Sequence, residues 1–326
     1  VPEFRKLGTV VDEIMEKYQV IDLVAPRNIP SSSYSRSDLS FMENPEYLPS
    51  DMTLDGYTAG IKRLEWPRQL WETKWYYEMF ALLDKYFGPF LVGSRPYSYI
   101  QALEKTDFTT SPGFWWYYYC NTKGQAVEKH WKTLLTEMES YDTDEPMTCP
   151  ITPTSKDELL NKTKVLRNVC RVCFVDMTEI VGNVCAACGG KRTELKTRLF
   201  YNLGFAHNLK AKTLFYDQNQ RLNQNVLRHP CTIGLDLPGP GFVHMYSLLH
   251  AFAEGKPRCA DDDITGCDML FNHLCATVIR DLRKTYLPRH THKAVDNIYS
   301  LTFLGYLVIC GVVVESPVIN PSGFEN

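Results

Sequence analysis

An α+β fold, rich in helices and with its few strands arriving late, is the class this sequence predicts. Three observations carry that expectation. Apolar residues recur at helical spacing in long stretches at 68–88, 125–140 and 201–227. Stretches with strand character are short and fall late, in "ADDDITGCD" and "ICGVVVE". No internal repeat or low-complexity tract is present, and 326 residues suffice for one or two domains with a large core.

The elements are expected in the following order. Residues 1 to about 60 read as irregular, with Pro, Ser and Asp clusters such as "NIPSSSYSRSD". A helix over 68–88 closes on a glycine. A loop carrying "FTTSPGF" leads to a second helix at 125–140, and the Pro/Thr-rich stretch 148–153 reads as extended. After a basic segment, 201–227 is mostly helical. The Pro and Gly residues of 238–241 mark a turn, followed by a short helix at 242–254. "ADDDITGCD" reads as strand and turn, with a helix from about 270 to 286 behind it. A further helix at 295–307 precedes the strand "ICGVVVE" and a terminal loop.

Composition is that of an ordinary globular chain, 44% hydrophobic and 22% charged, with aromatics at 13%. The longest apolar run, near 304–314, falls short of the roughly 20 residues a membrane span needs. The start, Val1-Pro2-Glu3, has no signal-peptide character, and Val1 implies a processed or missing beginning. Eleven cysteines in a chain of this length point to a reducing compartment rather than a disulfide framework. Charge is unevenly spread. Residues 151–228 hold 13 Lys and Arg against 6 Asp and Glu, whereas the remainder holds 22 against 32. Such a segment is either a footprint for phosphates or a solvated basic face.

"DITGCD" sets Asp263 and Asp268 five positions apart. With Asp263 ending a strand and Asp268 opening a helix, both carboxylates can face one cavity. A carboxylate there can hold Mg²⁺ through hard oxygen ligands, and the second can orient a sugar hydroxyl. The alternative is a pair of helix-capping acids. "SKDELLNKTKV" at 155–165 and "KTRL" at 196–199 space Lys and Arg as a triphosphate grip would. "TTSPGF" at 109–114 offers hydroxyls and a glycine that permits close approach to a nucleic-acid strand.

In that order these stretches resemble the motifs of a picornavirus-like viral RNA-dependent RNA polymerase. "TTSPGF" is similar to the template motif G. "SKDELLNKTKV" and "KTRL" are similar to the two parts of fingertip motif F. "DITGCD" resembles palm motif A, and "NPSG" at 320–323 the opening of motif B. The resemblance implies a right-hand polymerase fold. Helix-rich fingers would occupy 1–100 and 101–258, and a partial palm 259–326. It implies that Asp263 ligates catalytic Mg²⁺ (or Mn²⁺) and that Asp268 reads the ribose 2′-OH of the incoming nucleotide. Lys156, Lys164, Lys196 and Arg198 would line the nucleotide channel, with Ser322 in the loop that positions nucleotide. Thr110, Ser111, Gly113 and Gly323 would contact the template. RNA template, primer or product, and NTPs are the implied partners, together with other viral replication proteins. The implied location is the host-cell cytoplasm, in membrane-associated replication complexes. The chain ends inside motif B, before motif C and the thumb, so a partial polymerase, inactive alone, is expected.

One stretch departs from the family pattern. Thirty-one residues separate Lys164 from Lys196, and they contain "CRVCFVDMTEIVGNVCAACGGK". Cys170 and Cys173, then Cys185 and Cys188, form two Cys-x-x-Cys knuckles that can close a tetrahedral Zn²⁺ site in a ribbon-like insertion at about 166–195. Free thiols and two local disulfides are the alternatives. "GGKRT", with Lys191 and Arg192, competes with "KTRL" as the downstream half of motif F. Two further functions compete. A reverse transcriptase shares the palm but usually carries a bulky aromatic where Asp268 stands. A zinc-ribbon nucleic-acid or protein-binding module on a helical scaffold would explain the cysteines and the basic charge, but not the ordered motifs.

Overall fold

A computed structural model of the chain describes residues 20–23, 47–49, 54–61, 72–147, 150–156, 159–161, 198–226, 228–229 and 272–316, with 243, 245–247 and 250 besides. The helices are α1 (Leu54–Ile61), α2 (Trp75–Leu91), α3 (Tyr99–Glu104), α4 (Lys123–Ser140), α5 (Phe205–Gln224), α6 (His273–Thr285) and α7 (His292–Leu304). The strands are β1 (Val20–Leu23), β2 (Tyr47–Pro49), β3 (Thr152–Ser155), β4 (Leu159–Asn161), β5 (Leu199–Asn202), β6 (Tyr306–Ile309) and β7 (Val312–Glu315). The mixed, helix-dominated content agrees with the predicted class.

Helix α5 is the axis of the described residues. Its first turns, through Phe205, Ala206 and Leu209, enter a core with Ala102 of α3, Trp116, and Ala126, Leu134 and Met138 of α4. Its later turns, through Ala211, Leu214 and Phe215, enter a second core with Ala276 of α6 and Val295, Ile298, Tyr299 and Phe303 of α7. Burial on several sides explains why α5 carries apolar residues beyond a single stripe. Side chains cap its neighbours. Ser98 and Gln101 form a reciprocal capping box on α3, Thr122 accepts from the Gln125 N–H on α4, and Asn272 accepts from the Cys275 N–H at 3.0 Å on α6.

Polar contacts lock the second core. The Tyr286 hydroxyl donates to Asp84 at 2.5 Å and the Tyr76 hydroxyl to Asp281 at 2.8 Å, tying α2 to the α6 region. Buried Arg283 donates to Gln218 and Asn219 of α5 and lies over the Phe215 ring. Between the cores, buried His207 bonds Tyr141 at 3.1 Å and Thr302 at 2.8 Å. The Thr302 hydroxyl donates to the Ile298 carbonyl, so it accepts from Nε2–H of His207, and Nδ1 accepts from Tyr141. Burial depresses the imidazole to about 3, which keeps it neutral.

Among the described residues the strands form three sheets: an antiparallel β1-β7-β6 sheet and the antiparallel pairs β2–β4 and β3–β5. A parallel bridge between Ile151 and Leu307 joins the lead-in of β3 to β6.

Several local expectations differ from the structure. The first 60 residues, expected to be irregular, include β1, β2 and part of α1. The first long helix does not stop at Gly88 but runs through Gly88 and Pro89 to Leu91. Gly88 is there for packing, because the Tyr286 hydroxyl occupies the space a Cβ would need. The expected helix through 307 ends at Leu304, because Tyr306–Ile309 is drawn into a hairpin with β7. Its two-residue turn, Cys310-Gly311, holds both residues at positive φ (51° and 85°). "ICGVVVE" is thus a strand end, a turn and a strand. The region 201–227 starts with the end of β5 before helix α5. The short helix expected at 242–254 is seen as helical backbone at 243, 245–247 and 250.

Candidate nucleic-acid interface

Two predicted elements meet around β5. Strand β3 pairs with β5 from Thr152–Asn202 to Ser155–Leu199. The pairing continues one step further, where the Lys156 N–H donates to the Arg198 carbonyl at 2.8 Å. Lys156 and Arg198, distant in sequence, are therefore backbone neighbours at the open end of one ladder, and both are exposed. Two cations at one exposed end make a focus for phosphate oxygens. Through this step the stretch that begins at Ser155 meets the one that ends at Leu199. Lys164, Lys196 and the competing Lys191 and Arg192 lie outside the described residues.

At the other end of β5 stands the "TTSPGF" loop. Thr109, Thr110 and Ser111 are exposed, whereas Pro112, Gly113 and Phe114 are buried. Gly113 has φ +75°, and a Cβ on it would lie 2.5 Å from the Leu203 carbonyl oxygen. The close approach this glycine permits in the folded chain is thus to the backbone just after β5. Phe114 is fully buried against Val308 and Val313 of the β6–β7 hairpin. Asp107 organises the exposed tip. It accepts from the Thr109 N–H at 2.9 Å and the Thr109 hydroxyl at 2.7 Å, and these bonds hold its carboxyl below the ordinary value. The Thr110 hydroxyl donates to the Asp107 carbonyl at 3.0 Å. The loop closes on α4, where the Lys123 N–H donates to the Thr110 carbonyl at 2.9 Å and the Gly124 N–H to the Phe108 carbonyl at 3.0 Å.

Strand β5 therefore acts as a spacer, with Arg198 before it and Leu203, against Gly113, after it. At about 3.3 Å per residue the hydroxyl-bearing loop and the cationic end stand roughly 15 Å apart along one strand. That spacing suits an extended polyanion held at one point by hydroxyls and at another by cations.

Asp263, Asp268, Ser322 and Gly323 lie outside the described residues, as do Cys170, Cys173, Cys185 and Cys188. The cavity expected to be shared by Asp263 and Asp268, and the approach of the four sulfurs, therefore fall outside the described residues. Among the described residues no group of three or more His, Cys, Asp or Glu side chains could hold a metal, and no helix is long and apolar enough to cross a membrane.

Sequence reasoning missed the Gly113–Leu203 contact, the seat of Phe114 on the hairpin, and Glu137. That glutamate is buried beneath the loop, accepts from the Trp116 indole N–H at 2.9 Å, and is raised by burial to about 7. The one signal available was the unbroken aromatic run "FWWYYY" at 114–119.

The family profile for viral RNA-dependent RNA polymerase matches residues 43–325. Among solved structures, a Sicinivirus 3Dpol RNA-dependent RNA polymerase superposes with a TM-score of 0.67 at 15% sequence identity. The alignment covers 94% of this chain and 62% of that polymerase, so the chain spans less than two thirds of its length. No curated protein matches the sequence. A profile match over most of the chain, with a right-hand polymerase as structural neighbour, leads to one assignment: the chain belongs to the viral RNA-dependent RNA polymerase family.

Proposed function

We propose that this chain supplies the fingers and part of the palm for template-directed RNA synthesis, the transfer of nucleotides from NTPs to an RNA 3′ end. The observation that carries the reading is the β3–β5 ladder. It brings Lys156 and Arg198 together, from the two stretches read here as the halves of motif F, and seats the loop read as motif G at the far end of the same strand. In this reading Lys156 and Arg198, with Lys164 and Lys196, orient the triphosphate and offset its charge. Thr110, Ser111 and Gly113 guide the template, with Ser322 and Gly323 beside the nucleotide and template. Asp268 accepts a hydrogen bond from the ribose 2′-OH, which selects RNA precursors because a deoxyribose leaves that carboxylate unpaired. Asp263 offers the hard oxygen donors that Mg²⁺ or Mn²⁺ prefers, and such an ion would supply charge stabilisation at the transferring phosphate. The four cysteines have the donor type and spacing for structural Zn²⁺, which would brace the fingertip insertion. Replication proteins as partners and a membrane-associated cytoplasmic location belong to the same reading.

Arg198→Ala in the full-length enzyme tests the fingertip. NTP incorporation, as kcat/KM, is expected to fall roughly a hundredfold, with RNA affinity changed far less. An unaltered kcat/KM would remove Arg198 from the nucleotide channel. The zinc reading has a separate test. Protein purified under reducing, metal-replete conditions should contain close to one zinc per chain. Chelation should speed amide exchange in 165–195, and absence of bound zinc would overturn that part.

A further inference from the structure

Six consecutive aromatic residues, Phe114 to Tyr119, follow the motif G tip. They lie inside the loop that the Lys123–Thr110 and Gly124–Phe108 hydrogen bonds close. Two are anchors. Phe114 is fully buried on the β6–β7 hairpin, and Trp116 is 4% exposed in the α3–α4–α5 core with its indole N–H on Glu137. Of the other rings, Tyr117 packs against Phe114 and the hairpin, whereas Trp115, Tyr118 and Tyr119 are exposed. Trp115 is 41% exposed and Tyr119 69% exposed. Trp115 also has φ 64° and ψ −56°, the strained γ-turn region, which costs a residue with a Cβ on the order of 1–3 kcal/mol. The fold thus keeps a large indole at the surface in a conformation that a plain connector would avoid. The surroundings favour a polyanion. From Asp107 to Lys132 the cations are Lys123, Lys129 and Lys132, against the acids Asp107 and Glu128.

We infer that Trp115 and Tyr119 form a stacking platform for unpaired bases of the template strand, next to the hydroxyl tip that holds its backbone. This rests on the proposed polymerase function and adds base contacts to it. Exposed rings beside lysines are how single strands are held without sequence preference: each ring face takes any base, and the cations follow the phosphates. A protein partner would fit exposed rings too, but it gives no reason for the lysines that follow in the chain or for the exposed hydroxyl-bearing tip.

The test uses full-length polymerase and fluorescent primer–template RNAs whose 5′ template overhang is one or eight nucleotides long. For wild type the longer overhang should bind more tightly. Tyr119→Ala and Trp115→Ala should each cut that advantage about tenfold, whereas Tyr119→Phe and Trp115→Phe should keep it. One abasic site walked along the overhang should produce the same loss in wild type at one or two positions. At those positions it should add nothing in the alanine variants. Tyr119 is highly exposed and unstrained, so its variant stands even where Trp115→Ala misfolds. If neither Tyr119→Ala nor the abasic scan changes the advantage while wild type extends primers normally, the platform is refuted and a protein-docking role takes its place. If wild type extends no primer at all, the polymerase reading itself fails.

Discussion

Glu137 and His207 illustrate how buried ionisable side chains shape the response of this chain to pH. Glu137 is raised to about 7 by burial, so the folded state holds a proton that the unfolded state releases near 4.5. Its favourable contribution is complete below 4.5 and is lost as pH rises through about 7, a change of about 3 kcal/mol. His207 runs the other way. Depressed to about 3, it contributes fully above the unfolded value of 6.5 and loses that contribution as pH falls toward 3. Between pH 4.5 and 6.5 the two slopes oppose each other. Glu137→Gln keeps the acceptor for Trp116 and removes the ionisation. It should raise stability by about 3 kcal/mol at pH 8 and leave it nearly unchanged at pH 4, read as urea midpoints at the two pH values. An equal effect at both would mean that Glu137 does not hold its proton in the fold. Neither group was legible in the sequence, where a lone Glu or His on a helix says nothing of its burial.

At the scale of elements, β5 does two jobs. Its first end joins Arg198 to Lys156, and the backbone beyond its last residue receives Gly113. The order of the motif-like stretches was readable because the residue types of each are local. The distance between the motifs was not, since it depends on the antiparallel register of β3 with β5. Gly113→Ala tests this seat. A Cβ there meets the Leu203 carbonyl at 2.5 Å and forces a strained positive φ. The substitution should cost at least about 2 kcal/mol and weaken template binding as the loop lifts from β5. A chemical-unfolding midpoint equal to wild type would contradict the contact. The β6–β7 hairpin shows a related limit. "CG" lacks the Asn-Gly or Asp-Gly cue of such turns, so a single strand was the natural reading of "ICGVVVE".

Over the whole molecule, α5 couples two cores that sequence periodicity could not separate. Phe205 serves the α3–α4 core and Phe215 the α6–α7 core, each on a different turn of one helix. Phe215 also supports the guanidinium of Arg283, 4.8 Å from its ring centroid. Phe215→Ala should therefore cost about 4 kcal/mol, and the loss should reach both cores. Heating followed by near-ultraviolet circular dichroism and by tryptophan fluorescence, to which Trp116 and Trp131 of the first core contribute, should give one lowered transition. Two separated transitions would show that the cores unfold independently.

The sequence by itself determined the helix-rich α+β class, the order of the stretches that resemble polymerase motifs, and the residue types that give each stretch its chemistry. These are short-range properties: periodicity, capping residues, and acids or cations at fixed spacing. Only the tertiary structure decided that Lys156 and Arg198 stand side by side, that Gly113 lies on Leu203, and that Trp115 faces outward while Trp116 faces in. Each of those outcomes depends on strand register and on which of two adjacent aromatic rings finds a core. Both are settled by long-range packing, where burying one large ring on a preformed surface outweighs the local preferences of the chain.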